Sequence, residues 1–542
     1  MKSEIQNKIY NFVAGVQHQI ADLGEKPGWV ILDVQGEFPE FPEKSPLNII
    51  TRKEPQGVSV FRRKLKLLED ADWLRGVVLR FGGVQAGLAT AFALREAIER
   101  LASKKPVYSV VNSVHMMDYY LASAGTEVVV PPSAEFYLLG FHSQVTYIKD
   151  ALQKLGIEME VVRIKEYKTA YTRFTDDHMD EYEREQRSLL VSRFMEEFVR
   201  AVAQSRNLSE AQVREAIDAG ITNAEQARQH GLVDRIAYED VLYSKKHQPF
   251  NQASRFLKLP LMPEQGGKVA VVSLEGMIVP GHSRHVPIPL PIFGEQMAGS
   301  ESIIRSLRTA EKDEDTKAIV LFVNSGGGSA LASDLISHEV ERIRAKKPVV
   351  AVMGNVAASG GYYVLTHANH VIAAPTTITG SIGVISGKPN LQGFNAKYGL
   401  NPESIKVGRL ADSFDTAHPL TEEERAFLQK GAEDFYDLFT TRVSEGRNLS
   451  KERVNELGRG RVWSGKDALD NGLVDELGTL ENGIQRARKL AGLPENAPAY
   501  LLETPKQMVL PDMKDSESVL AAIMPLLRER TWMVAYERYN LK

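Results

Sequence analysis

The sequence contains no cysteine among its 542 residues, which excludes disulfide bridges, thiolate zinc sites and cysteine nucleophiles. It also lacks any run of about 20 apolar residues, the length that a membrane-spanning helix needs. The formal net charge is only −4, so we expect no nucleic-acid partner. Charged residues make up 25% and hydrophobic residues 43%, the balance of a globular protein with more than one domain.

The two ends of the chain carry apolar residues at helical spacing. Residues 1–26 lack the apolar core of a secretory signal, and Ile5, Ile9 and Phe12 belong to a pattern that predicts an amphipathic helix. This helix could dock on the protein or lie on a membrane. The stretch 518–539, within the C-terminal tail 491–542, predicts a second such helix.

The chain carries one pattern twice, at an offset of 240 to 243 positions. The matching segments are 105–107 with 347–349, 119–120 with 362–363, 206–209 with 447–450, and 231–234 with 472–475. So steady an offset indicates two tandem copies of one domain. We place the first repeat at 27–250, a linker at 251–267 and the second repeat at 268–490.

Strands and helices alternate within each repeat. In the second repeat, apolar runs at 269–274, 318–323 and 349–352 predict buried parallel strands. Apolar residues from Leu331 to Ile343 recur at helical spacing between the last two runs, which completes a βαβ unit. The fold class is therefore α/β. Further predictions are short strands at 371–374 and 381–385 and an irregular rim or insertion at 282–297.

Two glycine-rich passages of the second repeat could support chemistry. Residues 324–329 (NSGGGS) follow a predicted strand, and their backbone N–H groups could hold a phosphate or an oxyanion. In 357–363 (AASGGYY), Ser359 stands among small residues at a strand-to-helix transition, as a helix N-cap or a nucleophile. Because the carboxyl ends of neighbouring parallel strands meet at one edge of a sheet, we expect the two passages to lie together.

A serine nucleophile needs a base, and the repeat indicates which residue provides it. The histidines of the second repeat do not stand in glycine- or serine-rich turns; they are His338, His367, His370 and His418. A lysine can replace histidine if burial lowers its pKa. The first repeat has Met116 at the position of Ser359, whereas Lys168 aligns with Ala411 of the second. Each repeat has thus kept one half of a Ser359–Lys168 pair.

These motifs resemble the long form of signal peptide peptidase A, also called protease IV, a family of serine peptidases with the ClpP/crotonase fold. The resemblance covers nearly the whole chain and rests on 357–363, on 379–383 (TGSIG) and on Tyr167-Lys168 before Thr169-Ala170. The family's usual proline in the first glycine passage is replaced by Gly326. The resemblance implies these roles: nucleophile Ser359, general base Lys168, lysine-orienting Ser381, and an oxyanion hole from Gly327, Gly328 and Gly360.

The same resemblance implies tandem ClpP/crotonase-like domains and a Ser/Lys endopeptidase that degrades signal peptides or other unfolded peptides through an acyl-enzyme. It also implies a homotetramer, no cofactor or metal, and a location peripheral to the cell membrane. The missing anchor leaves a cytoplasmic location as the alternative. Two other functions stay open at this point: a crotonase-type acyl-CoA enzyme, which would not need Lys168, and a non-catalytic membrane-associated scaffold.

Overall fold

The computed structural model describes residues 2–42, 55–242, 246–263, 266–290, 294–504, 507–508 and 532–534. The chain forms two compact units. The first unit contains Met1–His142 and Ser192–Gly266, and the second contains Ser143–Val191 and Gly267–Lys542. Residues 143–191 therefore fold with the second unit, although they belong to the first sequence repeat.

Helices occupy both units and lie mostly between consecutive strands. In chain order they are α1 Lys2–Ala21, α2 Val58–Glu69, α3 Leu88–Ala102, α4 Met116–Ala122, α5 Lys149–Leu155, α6 Thr172–Thr175, α7 Glu181–Arg206, α8 Glu210–Asp218, α9 Ala224–Gln229, α10 Phe250–Ala253, α11 Ser300–Lys312, α12 Ala330–Arg344, α13 Gly360–Tyr363, α14 Gln392–Tyr398, α15 Glu422–Arg447, α16 Lys451–Leu457, α17 Gly465–Asp470 and α18 Leu480–Leu490.

The strands are short, and most of them belong to three sheets. In chain order they are β1 Trp29–Glu37, β2 Gly76–Gln85, β3 Val107–Val111, β4 Ser113–His115, β5 Glu127–Val130, β6 Glu135–Tyr137, β7 Glu158–Arg163, β8 Arg235–Ile236, β9 His247–Pro249, β10 Lys268–Glu275, β11 Met277–Val279, β12 Arg284–Leu290, β13 Gly294–Gly299, β14 Thr316–Ser325, β15 Gly327–Ser329, β16 Val349–Ala358, β17 His370–Ala373, β18 Ile378–Gly380, β19 Ile385–Asn390, β20 Val462–Ser464, β21 Glu476–Leu477, β22 Ala499–Leu502, β23 Gln507–Met508 and β24 Trp532–Val534.

The first unit is built on a parallel sheet of order β8-β5-β3-β2-β1-β9. The side chains of Val77, Leu79 and Ile98 are fully buried in the apolar core that this sheet forms with helices such as α3. Burial of this kind is the main driving force for folding of such a layer.

The second unit contains the predicted βαβ unit. Its main sheet follows the order β20-β18-β16-β14-β10-β22, in which β10, β14 and β16 are parallel neighbours. These strands contain the three predicted apolar runs, and α12 spans the predicted helix. The carboxyl ends of β14 and β16 lead directly into the two glycine-rich passages.

A second sheet of this unit has the order β23-β12-β13-β11-β15-β24-β19-β7. It contains the largest departures from the sequence predictions. The stretch 282–297 is not irregular throughout, because β12 and β13 pair as an antiparallel hairpin. Residues 381–384 are not a strand, since Ser381 has a φ of 50° that breaks extended backbone.

In the tail 491–542, residues 532–534 form a strand instead of a helix, and the rest of 518–539 lies outside the described residues.

The predicted N-terminal helix is present as α1, with its polar face turned inward. Asn7, Asn11 and Gln17 donate side-chain hydrogen bonds to backbone carbonyls of residues 257–263. Large apolar side chains of this helix are exposed instead, including Phe12 at 75%. None of the helices within the described ranges combines the length and apolar character that crossing a bilayer requires.

Candidate active site

The turn that carries Ser359 joins strand β16 to the short helix α13. Ser359 has a φ of 55° and a ψ of −118°, a region that non-glycine residues rarely adopt. Its amide N–H donates to the carbonyl of Gly380 at 2.8 Å, which ties the turn to the neighbouring strand β18. Strain of this kind is common where a fold holds a functional side chain in one orientation.

Lys168 reaches this serine from the segment between β7 and α6. Its Nζ lies 2.7 Å from the Oγ of Ser359, 2.9 Å from the Oγ of Ser381 and 3.0 Å from the Ser381 carbonyl oxygen. All three residues are buried. Burial lowers the pKa of Lys168 well below its ordinary value, because an ammonium group loses its hydration there. The predicted nucleophile, base and orienting serine are therefore in contact within the second unit.

Tyr167, the residue before the lysine, fixes the backbone of this segment. The guanidinium groups of Arg459 and Arg461 lie 5.4 and 4.9 Å from the centre of its ring. Its hydroxyl donates to Glu185 Oε2 at 2.6 Å. Cation–π contacts thus fix the ring of Tyr167, and a charge-assisted hydrogen bond fixes its hydroxyl.

Gln186 holds the other side of the lysine segment. Its side-chain amide donates to Thr169 Oγ1 at 2.7 Å, and its Oε1 accepts from the Val462 N–H at 3.3 Å. Gln186 is buried, so it fixes Thr169 to strand β20 without competition from bulk water. Sequence reasoning missed Gln186 because a lone glutamine on a helix carries no recognisable motif.

Two glycines leave room for the lysine. A Cβ atom at Gly460 would lie 2.5 Å from the backbone nitrogen of Lys168, and one at Gly383 would lie 3.1 Å from its Cδ. Gly460 also has a φ of +82°, which favours glycine. Gly383 belongs to the predicted motif 379–383, but nothing in the sequence around Gly460 reveals its role.

The glycine passage 324–329 lies against the serine turn, as the sequence predicts. A Cβ atom at Gly360 would lie 3.2 Å from both the Cα of Gly327 and the nitrogen of Gly328. The N–H of Gly327 already donates to the Oγ of Ser325 at 3.1 Å. The N–H of Gly327 is therefore already engaged, and the oxyanion role of the three glycines stays a prediction.

Strand β24 lies beside the glycine passage 324–329. It pairs antiparallel with β15, which sets Met533 opposite Gly328, and its first residue pairs with Ile385 of β19. Met533 is fully buried in the same apolar cluster as Ile382. A Cβ atom at Gly327 would overlap the carbonyl oxygen of Met533, so a glycine is required for this close pairing. A segment of extended backbone thus lies along the glycine passage.

Three of the four histidines considered as alternative bases have other partners. His367 lies 3.2 Å from the hydroxyl of Thr366, and His370 forms a 2.8 Å contact with Glu476. Both ring nitrogens of His418 face backbone carbonyl oxygens. Lysine, and not histidine, is the base within hydrogen-bonding distance of Ser359.

One cluster among the described residues has the composition of a metal site, namely Asp412, His418 and Glu424, with ligand atoms within 4.8 Å of one another. Lys406 already places its Nζ 2.8 Å from Asp412, and Glu424 accepts from the N–H of Thr421 as a helix cap. These contacts explain the cluster without a cation.

Comparison with known proteins shows the family of the chain. The model of peptidase family S49 matches residues 99–252 and 341–494, which together make up more than half of the chain. A Clp protease family model matches residues 283–379. Serine protease SPPA, chloroplastic, of Arabidopsis thaliana is 30% identical over 458 residues, which cover 81% of this chain and 67% of that protein.

Two bacterial proteins named Protease 4 are similarly related. The one from Salmonella typhi is 32% identical over 78% of this chain and 70% of its own length. The one from Haemophilus influenzae is 31% identical over 80% of this chain and 74% of its own length. A solved structure of a ClpP1 point mutant from Listeria monocytogenes matches 34% of this chain and 86% of its own, at 19% identity and a TM-score of 0.24.

The chain belongs to peptidase family S49, of which it contains two tandem matches, and it is a serine peptidase. The predicted family, the α/β fold with ClpP-like repeats and the hydrolase activity are therefore confirmed. An acyl-CoA enzyme and a non-catalytic scaffold, the two alternatives left open by the residues, do not agree with this membership.

Proposed function

We propose that the chain is an endopeptidase in which Ser359 is the nucleophile and Lys168 is its general base. The observation that carries this proposal is the 2.7 Å separation of Lys168 Nζ and Ser359 Oγ at a buried site. An ammonium group could not accept a proton, whereas burial favours the neutral amine that can.

The hydrogen bonds around the amine suit this role. A neutral amine has two N–H groups and one lone pair. If both N–H groups donate to the carbonyl oxygen and the Oγ of Ser381, the lone pair is left to accept the hydroxyl proton of Ser359. Ser381 is then a positioning residue that fixes the orientation of the lysine.

The proposed reaction begins when Ser359 Oγ bonds to the scissile carbonyl carbon and Lys168 takes the hydroxyl proton. The carbonyl oxygen becomes an oxyanion, to which the N–H groups of Gly328 and Gly360 would donate. The C–N bond then breaks, and Lys168 returns the proton to the leaving amine. Water hydrolyses the acyl-enzyme with Lys168 again as the base, which restores the free serine.

The proposed substrates are extended peptides, such as signal peptides and other unfolded chains. Strand β24 supports this choice, because it shows that extended backbone fits between β15 and β19. A peptide could add to the sheet at the same place, with backbone hydrogen bonds for affinity and an apolar pocket at the position of Met533 for selection.

We also propose that the protein assembles as a homo-oligomer, a tetramer by resemblance to the family's long form, and touches a membrane peripherally. The outward apolar face of α1, with Phe12 and Ile20 at 75% and 58% exposure, supports a membrane contact. Sedimentation with lipid vesicles tests this contact. We expect Phe12→Asp to weaken binding, and equal sedimentation of both proteins would contradict the proposal.

Hydrolysis of an unfolded protein tests the proposed catalytic pair. Wild type should cleave casein, and Ser359→Ala and Lys168→Met should each lose activity by at least about 1000-fold while remaining folded. Lys154→Met, at an exposed lysine of the same unit, should cleave at the wild-type rate. Retained cleavage by Lys168→Met would refute a lysine base, and retained cleavage by Ser359→Ala would refute the nucleophile.

A further inference from the structure

The segment 459–462, which we call the bridge, is hydrogen-bonded to both groups that fix the Lys168 amine. The carbonyl of its first residue accepts the N–H of Tyr167, the neighbour of Lys168, at 3.1 Å. The carbonyl of Arg461 accepts the N–H of Ser381 at 2.6 Å. The position of the bridge therefore affects the lysine segment and the turn of the orienting serine together.

The side chain of Arg461 fastens the bridge to the lysine segment. Its guanidinium lies 4.9 Å from the ring centre of Tyr167 and 4.6 Å from that of Trp463. Its Nη2 lies 2.8 Å from Glu185 Oε1, and Oε2 of the same carboxylate accepts the Tyr167 hydroxyl at 2.6 Å. Cation–π contacts, an ion pair and a charge-assisted hydrogen bond thus link four side chains in a closed set.

The surroundings of Arg461 distinguish it from an ordinary surface arginine. Its side chain is 21% exposed, and its buried Nε has no hydrogen-bond partner among the described residues. Exposed ion pairs contribute little because water competes for both groups. A planar guanidinium over two rings is a more specific contact, which a lysine would reproduce only in part.

The first repeat lacks this arrangement. Ser464 and Asn223 are equivalent helix N-caps, 241 positions apart, and the same offset places Gly220 at the position of Arg461 and Thr222 at that of Trp463. Helix α9 of the first repeat forms without the arginine, as α17 does with it. The local fold therefore does not require the arginine, which is present only in the repeat that contains the serine nucleophile.

We propose that Arg461 is a positioning residue for the Ser359–Lys168 pair. Its guanidinium fixes Tyr167 and hence the backbone of Lys168, and its carbonyl fixes Ser381, which orients the amine. This inference rests on the proposed function and adds to it the residue that couples the two supports of the lysine.

Steady-state kinetics of Arg461→Met give the first test. The substitution removes the charge and keeps an unbranched side chain. We expect kcat on a peptide substrate to fall by at least about 10-fold, because the reacting amine is misplaced, with KM within about 2-fold of wild type. Arg461→Lys keeps the charge and should recover part of the lost rate.

The pH profile of fluorophosphonate labelling separates positioning from a loss of stability. Burial holds the pKa of Lys168 below its ordinary value. Arg461→Met should admit water to the amine and leave the Glu185 carboxylate unpaired, and both effects raise the pKa of the lysine. The other charged pair on these segments, Glu166 with Arg459, is unchanged. The midpoint of labelling should therefore move to higher pH.

A second variant tests the contact from its other end. Glu185→Gln should slow turnover in the same way as Arg461→Met, since it removes the same ion pair. The double variant should be no slower than the slower of the two single variants, because residues that act through one contact are not additive. Multiplied losses in the double variant would show that the two side chains act separately and would overturn the proposed linkage.

Arg235 provides the matched control in the first unit. Its guanidinium lies 5.6 Å from the ring centre of Tyr108, and its Nη2 lies 2.6 Å from Glu127 Oε2. Arg235→Met loses the same kinds of contact, but it should keep the wild-type kcat and the wild-type labelling midpoint. Circular dichroism should show that all variants fold.

The outcomes distinguish the role of Arg461 from the catalytic pair itself. A wild-type kcat in Arg461→Met, or a lowered kcat with an unchanged labelling midpoint, would overturn the positioning role and leave the Ser359–Lys168 pair intact. An equal loss of activity in Arg235→Met would also overturn it, since the effect would then follow from reduced stability. Retained activity in Lys168→Met would refute the pair, and the role of Arg461 with it.

Discussion

At the scale of single residues, Lys168 is buried beside two serines, and this burial lowers its pKa. Between the lowered pKa and the ordinary value of 10.5, the unfolded chain would protonate this amine, whereas the folded chain holds it neutral. The unfolded state therefore binds one more proton in the interval between the lowered pKa and the ordinary value of 10.5. The lysine therefore reduces stability fully below its lowered pKa, and the reduction disappears as pH rises from there to 10.5.

Lys168→Met should consequently stabilise the protein while it removes activity. The gain should be about 1.4 kcal/mol for each pH unit by which the solution lies below 10.5, down to the lowered pKa of the lysine, before any loss from imperfect packing. The advantage should shrink as pH rises, because both states of the wild type then carry a neutral amine. Urea unfolding at several pH values checks this, and Lys154→Met should show no pH-dependent gain. A destabilised Lys168→Met at every pH would contradict the burial of a neutral amine.

Gly460→Ala should damage the site through the backbone of Lys168. The new methyl would meet the Lys168 nitrogen at 2.5 Å, so the lysine segment must shift away from Ser359. We expect kcat to fall by at least about 10-fold, since small misplacements of a reacting group are costly.

Gly492→Ala is the matched control for this substitution. Gly492 also has a left-handed φ, of +64°, but a Cβ there would meet no atom within 4 Å. Both variants should lose about 1 kcal/mol of stability from backbone strain, and only Gly460→Ala should lose activity. Equal activities in the two variants would show that Gly460 does not control the position of the lysine.

The residue pair itself was predictable because the repeats had lost complementary halves. Met116 stands where the first repeat would need a serine, and Ala411 where the second would need a lysine. Ser381 and Tyr167 belong to motifs that the sequence shows, whereas Gln186 and Gly460 were not predictable. These two residues act through contacts between segments far apart in the sequence, and a single sequence contains no signal of such contacts.

At the scale of elements, β24 lies where a peptide substrate is proposed to bind. Met533 seals it into the core of the second unit, and Gly327 and Ile385 belong to the strands on either side. A substrate must therefore displace β24, and the apparent affinity is reduced by the fraction of molecules in which the strand is docked.

Met533→Asp should weaken this docking and lower the KM for peptides several-fold, with kcat little changed. The aspartate would be disfavoured in an apolar cluster, so the open form should become more populated. Leu501→Asp, at a 39% exposed position of β22, is the control and should keep the wild-type KM. Steady-state kinetics on a peptide substrate measure both, and an unchanged or raised KM in Met533→Asp would show that β24 does not compete with substrate.

The sequence predicted well the elements that are buried along a whole strand or along one face of a helix. Strands β10, β14 and β16 are central strands with continuous apolar runs, and α12 has one apolar face. Prediction failed where tertiary contacts decide the conformation. Strand β24 forms only because β15 and β19 offer unpaired backbone, and the 282–297 hairpin depends on its neighbour β11.

At the scale of the whole molecule, sequence repeats and compact units do not coincide. Residues 143–191 belong to the first repeat by sequence and to the second unit by contact. A repeat pattern gives the number of homologous segments, but it contains no information on whether a segment packs on its own repeat or on another. Residues 400–410, which correspond to 157–167 in the sequence repeat, are mostly exposed.

The proposed homo-oligomer should form independently of catalysis. Ser359→Ala and Lys168→Met alter only the catalytic pair, so both should keep the wild-type mass in light scattering. A change of mass in either variant would show that the catalytic pair and the contact between copies depend on each other.

The pH dependence of Ser359 labelling by a fluorophosphonate tests the Ser359–Lys168 pair most directly. In the wild type, the labelling rate should rise with pH to a plateau, with a midpoint well below the ordinary lysine value of 10.5, because the neutral amine is the reactive form. In Lys168→Met, labelling should be at least about 100-fold slower and should lack this rise. Equal rates and equal pH profiles in the two proteins would contradict the assignment of Lys168 as the base.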